Sequence, residues 1–219
     1  MNMKALSSQI RLAALGAALL FSAGTLSAQD GVRYEAQPGS KIKIDGTSTI
    51  HEWTVESAII GGFVELDSGF DFNSPKAGKV NAKVEATIPS RSLHNKNGYK
   101  GMDERMHDAL KVNEYKKITY KLTELKLKEA PKAAGEPLHF DSKGELTVSG
   151  VTQTLSMPVT MEKQDGKLKT SGDLSLKMTS FKIDPPAPKI ALGLLSTGDD
   201  IKIHFEWLTS MPQKSADAK

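Results

Sequence analysis

In the stretch GTSTIHEWTVES, residues 46–57, Ser48, His51 and Glu52 fall within five residues of one another. A hydroxyl, an imidazole and a carboxylate are the parts of a nucleophile activated by an oriented base, and the chemistry would be hydrolysis or acyl transfer. It requires the base within about 3 Å of the hydroxyl. The β-branched and aromatic residues Thr49, Ile50, Trp53, Thr54 and Val55 favour an extended strand. On such a strand Ser48 and His51 have opposite parity and point to opposite faces. The spacing therefore predicts no dyad, and no G-x-S-x-G elbow supplies another nucleophile. No catalytic residue is assigned.

Other chemistry finds no better footing. His51, His94, His107, His139 and His204 are scattered, and no two have the H-E-x-x-H or H-x-x-x-H spacing that aims two imidazoles at one metal. Asp103 with Glu104, and Asp199 with Asp200, read as a helix flank and a hydrophilic turn. No glycine-rich loop opens a helix, so no phosphate cradle is expected. Neither metal nor cofactor is expected.

The elements that would have to position any site begin after an N-terminal leader. Lys4 and Arg11 precede the apolar run Leu12–Gly24, and small residues follow, which is the layout of a secretory signal peptide. That run is short of the roughly 20 residues needed to cross a bilayer, and no later segment is longer. Cleavage near Ala28, with a periplasmic or secreted destination, is the expectation. Removing residues 1–28 from the 219 leaves 191 and takes away two basic side chains and no acidic one, so the net charge falls from +3 to +1. Such a balance, with both signs interspersed, lacks the concentrated basic face that nucleic acid requires. The chain has no cysteine, so its core must hold without disulfides.

Period-2 alternation dominates the remainder. In KVNAKVEATI, Val80, Ala82, Val84, Ala86 and Ile88 share one face and Asn81, Lys83, Glu85 and Thr87 the other. The same alternation joins Ile42 with Ile44; Ile118, Tyr120 and Leu122; and Leu146 with Val148. Farther on it joins Leu155 to Met161, Leu174 to Met178, and Ile201 to Trp207. Turn signals such as NSPKAG, SGV, KQDGK and STGDD separate the runs. About eight antiparallel strands in meander order are predicted, each wet on one side, and a sheet of that size closes into a barrel or tightly curled sandwich. One segment differs. Met102, Met106, Ala109 and Leu110 recur at i, i+4, i+7 and i+8 against Asp103, Glu104, Arg105 and Asp108, which predicts a short amphipathic helix inserted between strands. A methionine-lined helix can plug one end of a barrel or serve as an adaptable lid. The domain is expected over residues 29–209, with a disordered polar tail at 210–219.

The order IDGTSTIHEW, GGF, VEATIPSRSL, MDERMHDALKVNEYKKITY, GELTVSGVTQTLSMPV and LKMTSFKIDPP…TGDDIKIHFEW resembles the YceI-like family of secreted polyisoprenoid-binding proteins over residues 32–208. The most specific piece carries Gly144, Leu146, Thr147, Val148, Gly150, Val151 and Thr152 of that family's G-x-L-T-I-x-G-V-T-x-x-V hairpin. The family's frequent R-D-x-H-L stands here as MDERMHDAL. The resemblance implies a lipocalin-like antiparallel β-barrel with a helix near its mouth, holding a long isoprenoid chain inside.

Inward alternation and the helix stripe then nominate a lining of Val84, Ala86, Met102, Met106, Leu110, Tyr120, Leu122, Val148, Leu176, Met178 and Phe205. Arg91, His94, Tyr99 and Arg105, near the helix, are nominated as head-group contacts. The expected function is a binding protein that sequesters or carries an isoprenoid lipid, polyisoprenoid or quinone-like, with a long-chain amphiphile as partner and no nucleic acid. The alternatives are a solid barrel acting as an interaction module and, more distantly, a hydrolase using Ser48 or His51. Oligomeric state is left open, a homodimer included.

Overall fold

Residues 31–186 and 196–212 are described by the computed structural model. The expected leader and most of the expected tail lie outside these residues. Twelve strands form one antiparallel sheet: β1 Gly31–Ala36, β2 Lys41–Ser48, β3 Glu52–Ser57, β4 Gly61–Asp67, β5 Gly78–Val80, β6 Ala82–Pro89, β7 His94–Asn95, β8 Lys117–Leu127, β9 Leu138–Val148, β10 Val151–Gln164, β11 Lys167–Lys177 and β12 Thr197–Ser210. The helix α1, Lys100–Ala109, lies between β7 and β8.

The twelve strands make eight staves. β1 and β2 run one after the other along β12, interrupted at residues 37–40, and β3 and β4 follow them in the same bent fashion. β5 and β6 likewise both pair β8. Neighbouring staves then follow in chain order, and β12 returns to β1 through Glu35↔Ser210 and Ala36↔Thr209, closing the barrel. At the first interruption Gly39 takes a φ of 99°, and the Ser40 hydroxyl accepts the Leu208 N–H at 3.0 Å, so β12 loses no hydrogen bond where the backbone turns away. Eight staves are near the size at which an interior can be filled or left open.

Two hairpins have the geometry their residues predict. Ser149–Gly150 and Asp165–Gly166 all have positive φ, as a two-residue turn matching strand twist requires. The expected single strand across STIHEWTV is instead a hairpin. β2 ends at Ser48 and β3 begins at Glu52, because the Ser48 hydroxyl donates to the His51 carbonyl at 2.7 Å and accepts the His51 N–H at 3.2 Å. A side chain that substitutes for backbone partners in this way favours a turn over a continued strand.

The barrel has a closed end and an open end. At the closed end Leu66, Leu125, Leu127, Phe140 and Leu168 are fully buried. The loop after β4 adds Phe70 and Phe72, edge to face at 5.0 Å, with Phe72 against Tyr34 and Phe70 against Phe140. At the other end α1 crosses from β7 toward the β9–β10 hairpin. Met102, Met106 and Leu110 pack on the core, and Ser149 Oγ donates to the Leu110 carbonyl at 3.0 Å. No helix among the described residues is long and apolar enough to cross a membrane.

Candidate functional site

Alternation puts one residue in two of every stave inside, and these side chains do not fill the barrel. A cavity of about 480 Å³ runs from the closed end to the helix, within the usual range for small-molecule sites. All eleven residues nominated as lining touch it: Val84, Ala86, Met102, Met106, Leu110, Tyr120, Leu122, Val148, Leu176, Met178 and Phe205. Among the described residues its wall is overwhelmingly aliphatic and aromatic, holds no carboxylate, and contains one guanidinium, Arg105, on α1.

The four nominated head-group residues divide. Tyr99 and Arg105 line the cavity at its mouth. Arg91 and His94 do not. Arg91 is exposed and donates to the Asn113 side chain, and His94, exposed on β7, faces a polar groove on the outer wall. The turn Ser90–Ser92 and the parity of β7 carry both side chains away from the interior.

Three partly buried contacts hold α1 at the mouth. Asn95 Nδ2 donates to Met102 Sδ at 2.7 Å, the Asp103 carboxylate accepts the Asn95 N–H, and His107 donates Nε2–H to the Leu93 carbonyl at 2.9 Å. On the opposite rim a 3-10 turn, Met178–Phe181, is capped by Asp199, which accepts the Thr179 hydroxyl at 2.7 Å and the Thr179 N–H at 2.9 Å. Hydrogen bonds from the Thr179 side chain and backbone, more than the nearby Lys177 charge, hold the Asp199 carboxyl below its ordinary value. Both rims thus present apolar side chains inward from polar anchors.

Ser48 and His51 also stand at the mouth, but not as a dyad. The Ser48 hydroxyl is committed to the His51 backbone, and His51 donates Nδ1–H to the Glu52 carbonyl at 2.9 Å. Among the described residues no group of three or more His, Asp and Glu side chains could hold a metal ion.

The deeper wall contains polar groups that were not nominated. Tyr120 Oη, Thr170 Oγ1 and Trp207 Nε1 are buried without a hydrogen-bond partner among the described residues, which costs about 1–3 kcal/mol for each such group. Burial pushes the Tyr120 phenol up, with the neighbouring Ser142 hydroxyl opposing. Ser142 itself donates to the Met157 carbonyl at 2.8 Å. Thr170 and Ser142 occupy inward positions in Leu168–Thr170–Gly172–Leu174 and Phe140–Ser142–Gly144–Leu146. Polar residues at apolar parity were the available signal.

The YceI-like domain model matches residues 35–207. The chain belongs to the YceI-like family. Solved structures with the same fold include a polyisoprenoid binding domain from Saccharophagus degradans implicated in plant cell wall breakdown (TM-score 0.62, 14% identity, 83% of this chain and 99% of that one). BcnA from Burkholderia cenocepacia is similar at a TM-score of 0.57 and 19% identity, over 77% of this chain and 95% of that one. The YceI protein of Campylobacter jejuni is similar at 0.51 and 16%, over 73% and 85%. Comparison of the sequence with curated proteins gave no significant match.

Proposed function

We propose that this YceI-like chain is exported and carries one long isoprenoid-type lipid inside its barrel. The observation that carries the reading is the apolar cavity, closed at one end and bordered by methionines at the other. An apolar chain gains about 0.8 kcal/mol for each buried CH₂, so ten such groups supply about 8 kcal/mol toward the cost of ordering the chain, and a longer chain offsets it without any ion pair. Methionine suits a lid that must accept a chain of variable path. The Saccharophagus relative, described as a polyisoprenoid binding domain, supports an isoprenoid chain as the occupant. Lys4, Arg11 and the apolar run Leu12–Gly24 support export and cleavage near Ala28. The open interior supports this reading over that of a solid barrel.

Native mass spectrometry of the protein purified from its own envelope fraction, followed by organic extraction, tests the reading. One lipid per barrel, on a chain beginning near Gln29, is the expected result. A protein that carries none and takes up no long-chain lipid when offered it would end the proposal.

A further inference from the structure

The three residues with unpartnered polar atoms all line the cavity, two of them at its closed end. Trp207 and Thr170 are 3% and 6% exposed and stand opposite each other on β12 and β11. Thr170 is paired in turn with Met161, and Met161 with Leu138, so the four form one row near the barrel floor. Tyr120 begins nearer the mouth, opposite Leu146, but its ring leans downward. The hydroxyl lies 2.5 Å from where a Cβ on Gly144 would stand, two residues closer to the floor. The cavity's other tryptophan provides the contrast: Trp53 satisfies its indole N–H on the Thr47 carbonyl at 3.0 Å.

We propose that the closed end of the barrel is a subsite for an uncharged hydrogen-bond acceptor, a carbonyl-type oxygen, so that lipid enters polar end first and leaves its chain beneath α1. The inference rests on the carrier reading above and adds the orientation and head-group class. An indole N–H can only donate, and the Tyr120 and Thr170 hydroxyls can donate alongside it. A buried donor lacking a partner in its own protein gains most from an acceptor brought by a ligand. An anionic head fits poorly there. Among the described residues the cavity's only guanidinium is on the helix at the mouth, and an unpaired charge at the floor would lose its hydration with three neutral donors as the sole return.

The test uses the full chain freed of lipid and three prenyl chains of equal length, ending in a benzoquinone, a phosphate or hydrogen. The protein has two tryptophans, so Trp53→Phe leaves Trp207 as the only reporter and Trp207→Phe leaves Trp53. The quinone-ended chain should bind about tenfold more tightly than the hydrocarbon, the value of one or two recovered hydrogen bonds. It should also quench Trp207 more strongly than Trp53. In Tyr120→Phe/Thr170→Val/Trp207→Phe, checked for folding by thermal melting, the ratio of quinone-ended to hydrocarbon affinity should fall to near one, both chains being measured on the same variant; a ratio that stays near ten would overturn the subsite.

A hydrocarbon that binds as well as the quinone-ended chain in the native protein would overturn the subsite and leave the carrier reading intact. Tightest binding of the phosphate-ended chain, or stronger quenching of Trp53, would do the same by placing the head at the mouth. Failure of all three chains to bind would overturn both.

Discussion

The ring of Tyr120 occupies the space where a side chain at residue 144 would stand: a Cβ on Gly144 would lie 2.5 Å from both its Cζ and its Oη, and 2.6 Å from the Lys121 carbonyl oxygen. The missing side chain lets an aromatic ring lie along the inner wall between β8 and β9. Gly144→Ala should therefore displace both ring and strand, lowering stability by about 1–3 kcal/mol through overpacking. Urea unfolding would measure the loss. Gly144→Ala in a Tyr120→Leu background should recover part of it, because one of the two clashes is gone.

Ala86→Trp should exchange ligand for protein in the same space. Ala86 faces the cavity from β6, where it is only partly buried, so an indole can point into open volume. A cost of about 1–3 kcal/mol leaves a domain of about 5–15 kcal/mol folded. Lipid bound per mole of protein should fall to near zero while a cooperative thermal transition persists.

Met106→Asp should act at the lid. Met106 faces the cavity from α1 and is partly buried, so a carboxylate there meets an apolar chain or must swing to solvent. Lipid retention should drop several-fold, with melting changed by no more than the roughly 0.5–3 kcal/mol of an ordinary substitution.

Acid should loosen the opposite rim. The folded pKa of Asp199 lies below the usual 3.8, so its cap on Thr179 is fully present above the unfolded value. The stabilisation is lost as pH falls through the lower, folded value. The Thr179 amide proton should titrate with a midpoint below 3.8 in an NMR series, and Asp199→Asn should abolish the titration.

Ser48→Ala should cost stability and leave function in place. The hydroxyl both donates to and accepts from the His51 backbone, and losing a partly exposed pair of this kind is worth about 1 kcal/mol. Lipid retention should stay within a few-fold of the native protein. Turnover of a lipid ester that vanishes in both Ser48→Ala and His51→Ala would instead establish catalysis at this turn.

Much of the barrel could be read from alternation because each stave is wet on one face only, and the inward residues near the mouth are continuously apolar. The deeper half was less legible. On β9 and β11 the inward positions near the floor read Phe140–Ser142–Gly144 and Leu168–Thr170–Gly172, so small and polar residues interrupt the very pattern used to find strands. On β8 a bulge between Leu122 and Glu124 shifts the inward set from Tyr120 and Leu122 to Leu125 and Leu127, which no fixed period follows. The turn at Ser48–His51 was missed because its residues are good strand formers, and a single hydroxyl decides against them. Arg91 and His94 were placed by nearness to the helix in sequence, whereas a 3-10 turn and a two-residue strand direct them outward.

The pairing of Glu35 with Ser210 and of Ala36 with Thr209 also governs when the protein can fold. β12 is hydrogen-bonded to β11, to β2 and to β1, so the stave made last completes contacts with the one made first. Until it arrives, the inner faces of seven staves have no enclosed space in which to hide, and contacts of such long sequence separation form slowly. A chain still leaving a ribosome would therefore present unprotected strand edges. An interior able to enclose anything exists only once β12 has joined β1.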